Sequence, residues 1–201
     1  MTRSVYVIGA AGAGKSTFTA ELLERLYVDL GPLEDLHGKP NAAGNTVTLR
    51  GHRMYEKGDI QRGYIGIYLG VMRDQFPGSD GLDRASSPTG EEWLSMNERR
   101  HLPNVILAEG ATLATRRFMY ALNEHTDLLV LALRCDPVVH DLRLLARGAG
   151  QVTSFVQSTV TKTENLVRDL TAAGATVRWV ESDDPGDWED ALHSAESHLA
   201  G

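Results

Sequence analysis

Four short stretches of the chain are almost continuously apolar: "SVYVI" at 4–8, "NVILAEG" at 104–110, "DLLVLALRCD" at 127–136 and "ATVRWV" at 175–180. The first reads as a buried strand by its length and β-branched content, the second and third are continuous runs of the kind buried on both faces of a parallel sheet, and the last reads as a fourth strand. The segments beside them carry a helical period instead. "TFTAELLERLYVDL" repeats Phe18, Leu22, Leu26 and Leu30 at i+4 until "GP" stops it, "ATRRFMYALNEH" reads as a second helix, and "TENLVRDLTAAG" as a third with Gly174 as its C-cap. Strands alternating with helices predict an α/β protein: a doubly wound, three-layer α/β/α sandwich around a mostly parallel sheet.

Residues 31–90 break that rhythm with Gly, Pro, Asn and Asp, and only "TVTLRGHRMYEKG" and "YIGIYLG" have strand character there. The expectation is an inserted, acceptor-side region over the C-terminal edge of the sheet, a hairpin plus loop. Within it "FPGSDGLDRASSPTG" is long for a connection in a compact domain, and such loops are commonly functional. The end of the chain, "DDPGDWEDALHSAESHLAG", predicts an acidic turn and a short amphipathic helix with Trp188, Leu192 and Leu199 on its inner face. At 201 residues the whole is expected to be one domain.

Between the first strand and the first helix stands "GAAGAGKST", residues 9–17. Gly9, four residues, Gly14, Lys15 and Ser16 fit G-x-x-x-x-G-K-[ST], in the strand-to-helix setting that the motif requires. Backbone N–H groups must close around phosphate oxygens, and side chains on Cβ would block the approach; Gly9, Gly12 and Gly14, with Ala10, Ala11 and Ala13 between them, leave that space. Lys15 is expected to reach the β- and γ-phosphates, Ser16 to offer its hydroxyl to Mg2+, and Thr17 to add a contact to the α-phosphate. The helix that follows aims its N-terminal dipole at the anion.

Composition changes this picture little. The hydrophobic and charged fractions are ordinary for a globular protein, no apolar run is long enough for a bilayer, and "MTRSVYVIGA" does not read as a signal peptide, so a cytoplasmic location is expected. The lone Cys135 reads as packed core in a reducing compartment rather than as a nucleophile. Seven scattered histidines show no zinc-ligand spacing. The net charge of -7 belongs to the tail: from Glu181 onward there are seven acidic residues and no Lys or Arg, which reads as a solvated face, while residues 1–180 balance.

Further candidates surround the phosphate. Glu109, closing "VILAE", is placed to order a magnesium shell from the end of a strand beside the loop-bearing one; capping the next helix or pairing with an arginine is the structural alternative. Asp136, before Pro137, reads as an N-cap. Arg143 and Arg147 lie one helical turn apart in a stretch, 142–163, that holds no acidic residue; it reads as a cationic lid able to stabilise charge on a phosphoryl group in flight, or as a solvated face. Asp80 in "PGSDGL" is the preferred acceptor-side base, ahead of Asp83 and Asp59, each of which could equally be a turn residue. Phe76, Tyr64, Tyr68 and Trp93 could wall a base or fill the core. Arg50, Arg53, Lys57 and Arg62, with Arg143, Arg147 and Lys162, supply material for a nucleic-acid track.

The glycine loop, the strand ending in Asp136-Pro137 and the Arg143/Arg147 pair resemble small P-loop kinases of the nucleoside and nucleotide monophosphate kinase type. That resemblance implies a P-loop NTPase sandwich with a lid at 142–163, ATP and Mg2+ as cofactors, and a nucleoside- or nucleotide-like acceptor. "FPGSDGL", "EEWL", "LAEG", "RGAGQ" and "TKTENL" are also similar to bacteriophage P-loop kinases associated with phosphorylating a hydroxymethylated pyrimidine in DNA, which implies DNA as a partner through a modified base. A nucleotide-hydrolysing switch is the competing class; the chain has no N-K-x-D guanine signature to favour a GTPase.

Overall fold

The computed structural model describes residues 1–59, 61, 63–71, 82–83, 85–98, 102–146 and 153–200, without the side chains of 98 and 153–156. The candidates Phe76, Asp80, Arg62 and Arg147 lie outside the described residues. The chain runs β1 (Arg3–Gly9), α1 (Lys15–Arg25), β2 (Val28–Pro40), β3 (Thr46–Glu56), β4 (Gly66–Leu69), α2 (Ser86–Glu98), β5 (Val105–Glu109), α3 (Arg116–His125), β6 (Asp127–Arg134), α4 (Pro137–Ala146), α5 (Thr153–Ala172), β7 (Thr176–Glu181) and α6 (Pro185–Ala200).

The strands form one seven-stranded sheet in the order β2-β3-β4-β5-β1-β6-β7. Pairing is parallel from β4 to β7, and β3 alone runs against its neighbours. Three of the four apolar stretches became β1, β5 and β6, interior strands that must be apolar on both faces because helices cover both, and the fourth, with Arg178 in it, became the edge strand β7. In β1, Tyr6 and Ile8 join a core cluster with Trp93, Leu94, Phe118 and Leu170 from α2, α3 and α5. Val5 and Val7 point the other way, to Phe18 and Leu22 of α1 and Leu192 and Leu199 of α6. Each large apolar side chain taken fully out of water contributes about 1.5–3 kcal/mol, so the two clusters hold the layers together.

Two expectations are corrected. The first helix does not reach Leu30: it ends at Arg25, Tyr27 takes a left-handed φ of 54°, and the chain turns into β2. Leu26, Val28 and Leu30 still pack on the α1 side of the core, so the i+4 spacing reported burial correctly and the element wrongly. "GP", read as a helix stop, lies inside β2 at a register irregularity between Leu30 and Leu33. β2 is an edge strand, where a proline without an N–H can be accommodated. Nor does the hairpin lie over the sheet edge, since β2, β3 and β4 extend the sheet itself. α2 begins within the stretch that reads as a loop, with Pro88 tolerated in its first turn. It approaches α3 so closely that a Cβ on Gly90 would sit 2.7 Å from the Phe118 ring.

The acidic tail is not simply a solvated face. Glu189 pairs with Arg25 at 2.6 Å and Asp187 with Arg178 at 2.7 Å, tying α6 to α1 and β7, and Glu181 with Arg134 at 2.5 Å, tying β7 to β6. Asp187 also accepts the Glu181 N–H at 2.6 Å, and this bond, ahead of Arg178, holds its carboxyl below the ordinary range. A depressed carboxyl contributes stability that is present above its unfolded pKa and lost as pH falls through the folded value. D187N is therefore expected to cost about 1 kcal/mol at neutral pH. Denaturant titrations across pH should show that gap closing below the ordinary carboxylate range.

Candidate active site

The sheet delivers Gly9 at the C-terminal end of β1, and the next five residues turn the chain into α1. Gly9 has φ 150°, and a Cβ there would meet the Leu133 carbonyl oxygen at 2.5 Å, a contact with fixed backbone. Gly14 has φ 94° and stands at the N-cap of α1, where no side-chain cap satisfies the helix N–H groups. Those donors, with the dipole behind them, face the space in front of the helix. Ala10 and Ala13 are buried, Ala11 partly so, and the Ala13 N–H bonds the Ala10 oxygen at 3.2 Å. Lys15 folds its ammonium back onto the loop, donating to the carbonyls of Gly9 at 3.0 Å and Ala10 at 2.8 Å. Ser16 is half-buried and Thr17 exposed on the first turn.

Thr17 opens onto a cavity of about 500 Å³ lined by Gly12, Gly14, Glu21, Arg143, Ser182 and Trp188. Arg143, on α4, donates from Nη1 to the Ser182 hydroxyl at 2.8 Å and from Nη2 to the Ser182 carbonyl at 2.9 Å. It is thereby held at the mouth of the loop between β7 and α6, beside Gly14. Opposite, Trp188 packs edge-on to Phe18 with ring centroids 5.0 Å apart, and its indole N–H donates to Glu21 at 2.9 Å. The sequence shows Trp188 as an inner-face residue; that this face borders the phosphate loop follows only from the docking of α6 on α1.

Glu109 closes β5 opposite Val7 of β1, with 5% of its surface exposed. Strand alternation puts it on the same face as Leu107, the α1 side. Tyr68 on β4 reaches its carboxylate at 3.5 Å. The helix after β5 is capped by Thr115, which accepts the Phe118 N–H at 3.3 Å, so capping is not the work of Glu109. Magnesium favours hard oxygen ligands, and a strand-end carboxylate facing α1, whose first turn carries the Ser16 hydroxyl, is a fitting donor set.

Other candidates resolve into structural roles. Asp136 accepts the Val138 N–H at 2.8 Å and caps α4 as expected. Asp83 accepts the Ala85 N–H at 2.8 Å where α2 begins. Tyr68 and Trp93 are core side chains. Tyr64 is exposed, with the Arg53 guanidinium 4.9 Å above its ring. Arg53 also pairs with Glu34 at 3.1 Å and Arg50 with Asp35 at 2.9 Å, so these two arginines are engaged by carboxylates of β2. Cys135 lies just past β6 and is half-buried; burial pushes its thiol pKa up, away from nucleophilic use. No helix among the described residues is long and apolar enough to cross a membrane.

No curated protein matches the chain. Among solved structures, a shikimate kinase from Acinetobacter baumannii in complex with shikimate is 13% identical, with 100% of this chain and 94% of that chain covered and a TM-score of 0.49. A gluconokinase from Sinorhizobium meliloti is 18% identical, with coverages of 98% and 91% and a TM-score of 0.45. A deoxyadenosine kinase from M. mycoides with bound dCTP is 12% identical, with coverages of 96% and 99% and a TM-score of 0.47. The family model described as P-loop Nucleotide Kinase3 matches residues 1–200, nearly the whole chain, and the protein belongs to that family.

Proposed function

We propose that the protein is an ATP-dependent phosphotransferase that moves the γ-phosphoryl of ATP to a hydroxyl or phosphate of a small nucleoside- or nucleotide-like acceptor. The observation that carries this reading is the joining of two sites at Gly14: an uncapped, glycine-shaped helix N-terminus with Lys15 inside it, and a cavity of about 500 Å³ walled by Arg143 and Trp188. The first suits phosphates and the second suits a base, which a guanidinium and an indole ring can hold by their faces. Lys15 exchanges its two carbonyl bonds for phosphate oxygens when nucleotide binds. Ser16 and Glu109 would hold Mg2+, which supplies charge neutralisation across the phosphates. Arg147 and Asp80 stand as the phosphoryl-stabilising cation and the acceptor-side base of the same proposal, and the 142–163 stretch as its lid.

Small acceptors are favoured over DNA because Arg50 and Arg53 are already ion-paired and the acidic α6 packs against α1, the helix that opens at the phosphate loop. The test is transfer of label from ATP to free nucleosides, nucleotides and oligonucleotides carrying a hydroxymethylated pyrimidine, across a salt series. A small acceptor is expected to raise ADP formation above the water background with a shallow salt dependence. Preference for the oligonucleotide with a steep fall in salt would transfer the reading to DNA, since neutralised backbone phosphates release counterions. No stimulation by any acceptor would leave a hydrolase rather than a kinase.

A further inference from the structure

The phosphate loop is made almost wholly of glycine and alanine, and it has few means of holding its own peptide planes. One of them is held from outside. His140, on α4 and 8% exposed, places Nε2 against the main-chain oxygen of Ala11. A carbonyl oxygen only accepts, so Nε2 carries the proton and donates. Across a trans peptide the C=O and the following N–H point to opposite sides. With the Ala11 oxygen drawn toward α4, the Gly12 N–H is therefore turned away from α4. Packing reinforces the placement: a Cβ on Gly12 would lie 3.2 Å from the Leu144 side chain and 3.3 Å from His140 Nε2, so α4 rests directly on the loop. One helical turn further on, Arg143 is bonded to Ser182 beside the base-sized cavity. α4 thus joins the two halves of the site.

We propose that His140 is a positioning residue for the phosphate loop, its Nε2–H holding the Ala11 carbonyl outward so that the Gly12 N–H is set for a phosphate oxygen before nucleotide arrives. The inference rests on reading residues 9–17 as the phosphate site for ATP. It assigns a function to a buried histidine that no loop motif includes, and it predicts that the donor, rather than the ring or its charge, is what matters.

The experiment measures binding of inorganic tripolyphosphate and of ATP by calorimetry to the wild-type protein, H140L and H140Q, alongside their unfolding midpoints. H140L removes the donor and is expected to bind both probes about tenfold more weakly, the worth of one well-placed hydrogen bond. H140Q keeps an N–H at a similar reach and should stay within about threefold of wild type. A merely structural role would follow the unfolding midpoints and would not be rescued by glutamine. If H140L does not fold, H140N, whose shorter amide falls short of Ala11, takes its place in the same comparison. Equal affinity in wild type and the donor-free variant overturns the inference while leaving the phosphate site intact, as does a loss in H140Q as large as in H140L. A wild-type protein that binds neither probe overturns the phosphate-site reading, and the inference with it.

Discussion

K15A should lose phosphoryl transfer by about a thousandfold or more, the scale seen when a preorganised electrostatic donor is removed from a reacting centre. Lys15 is poised for that role, because its ammonium lies within the loop, 3.0 Å from the Gly9 oxygen and 2.8 Å from that of Ala10. A phosphate entering there offers a full negative charge in place of two carbonyl dipoles, and the charge grows on the equatorial oxygens during transfer. The loss should fall on kcat as well as on ATP affinity, because the interaction strengthens in the transition state. The fold should survive: Lys15 is half-exposed at the start of α1, and the turn it leaves is shaped by Gly9 and Gly14. Steady-state kinetics with a thermal melt separates the two effects. Turnover at the wild-type rate in a folded K15A would refute the phosphate-loop assignment.

What could be read from the chain follows from how locally each feature is determined. The phosphate loop is legible because its chemistry fixes glycine where φ is positive and where a Cβ would strike the Leu133 backbone, and those demands are met within nine residues. β1, β5 and β6 are legible because burial on both faces leaves an unbroken apolar run, and β7, an edge strand that carries Arg178, because Val177, Trp179 and Val180 follow a helix that Gly174 ends. β2 is not, because an edge strand with one solvated side can carry Gly31 and Pro32, and Leu26 and Leu30 fall by spacing on the stripe begun by Phe18 and Leu22. α2 is hidden by a Ser-Ser-Pro-Thr-Gly start that also spells a turn. The site's remaining walls are long-range facts. Trp188 meets Glu21 across 167 residues and His140 meets Ala11 across 129, contacts that exist only after α6 and α4 have packed onto the sheet. The same holds for the tail, whose acidic residues look solvated until Arg25, Arg134 and Arg178 are brought beside them.

E109Q is expected to lower transfer by about 10- to 100-fold, the range for groups that order the surroundings of a catalytic metal. The substitution preserves shape and removes charge. Glutamine keeps a side-chain oxygen where Tyr68 donates, so the buried end of β5 retains that partner, and the unfolding midpoint should move little. What disappears is a negative charge at 5% exposure, two residues along the strand from Leu107 and facing α1, whose first turn bears Ser16. In such a dry position a carboxylate acts on a divalent cation with little screening by water. The magnesium dependence should therefore shift: E109Q ought to need more Mg2+ for half-maximal rate, and excess Mg2+ ought to recover part of the loss. S16A should move the same titration in the same direction by removing the hydroxyl from the other side. If E109Q loses activity but keeps the wild-type magnesium curve, Glu109 supports the end of β5 through Tyr68, and the metal's carboxylate must be sought on another strand.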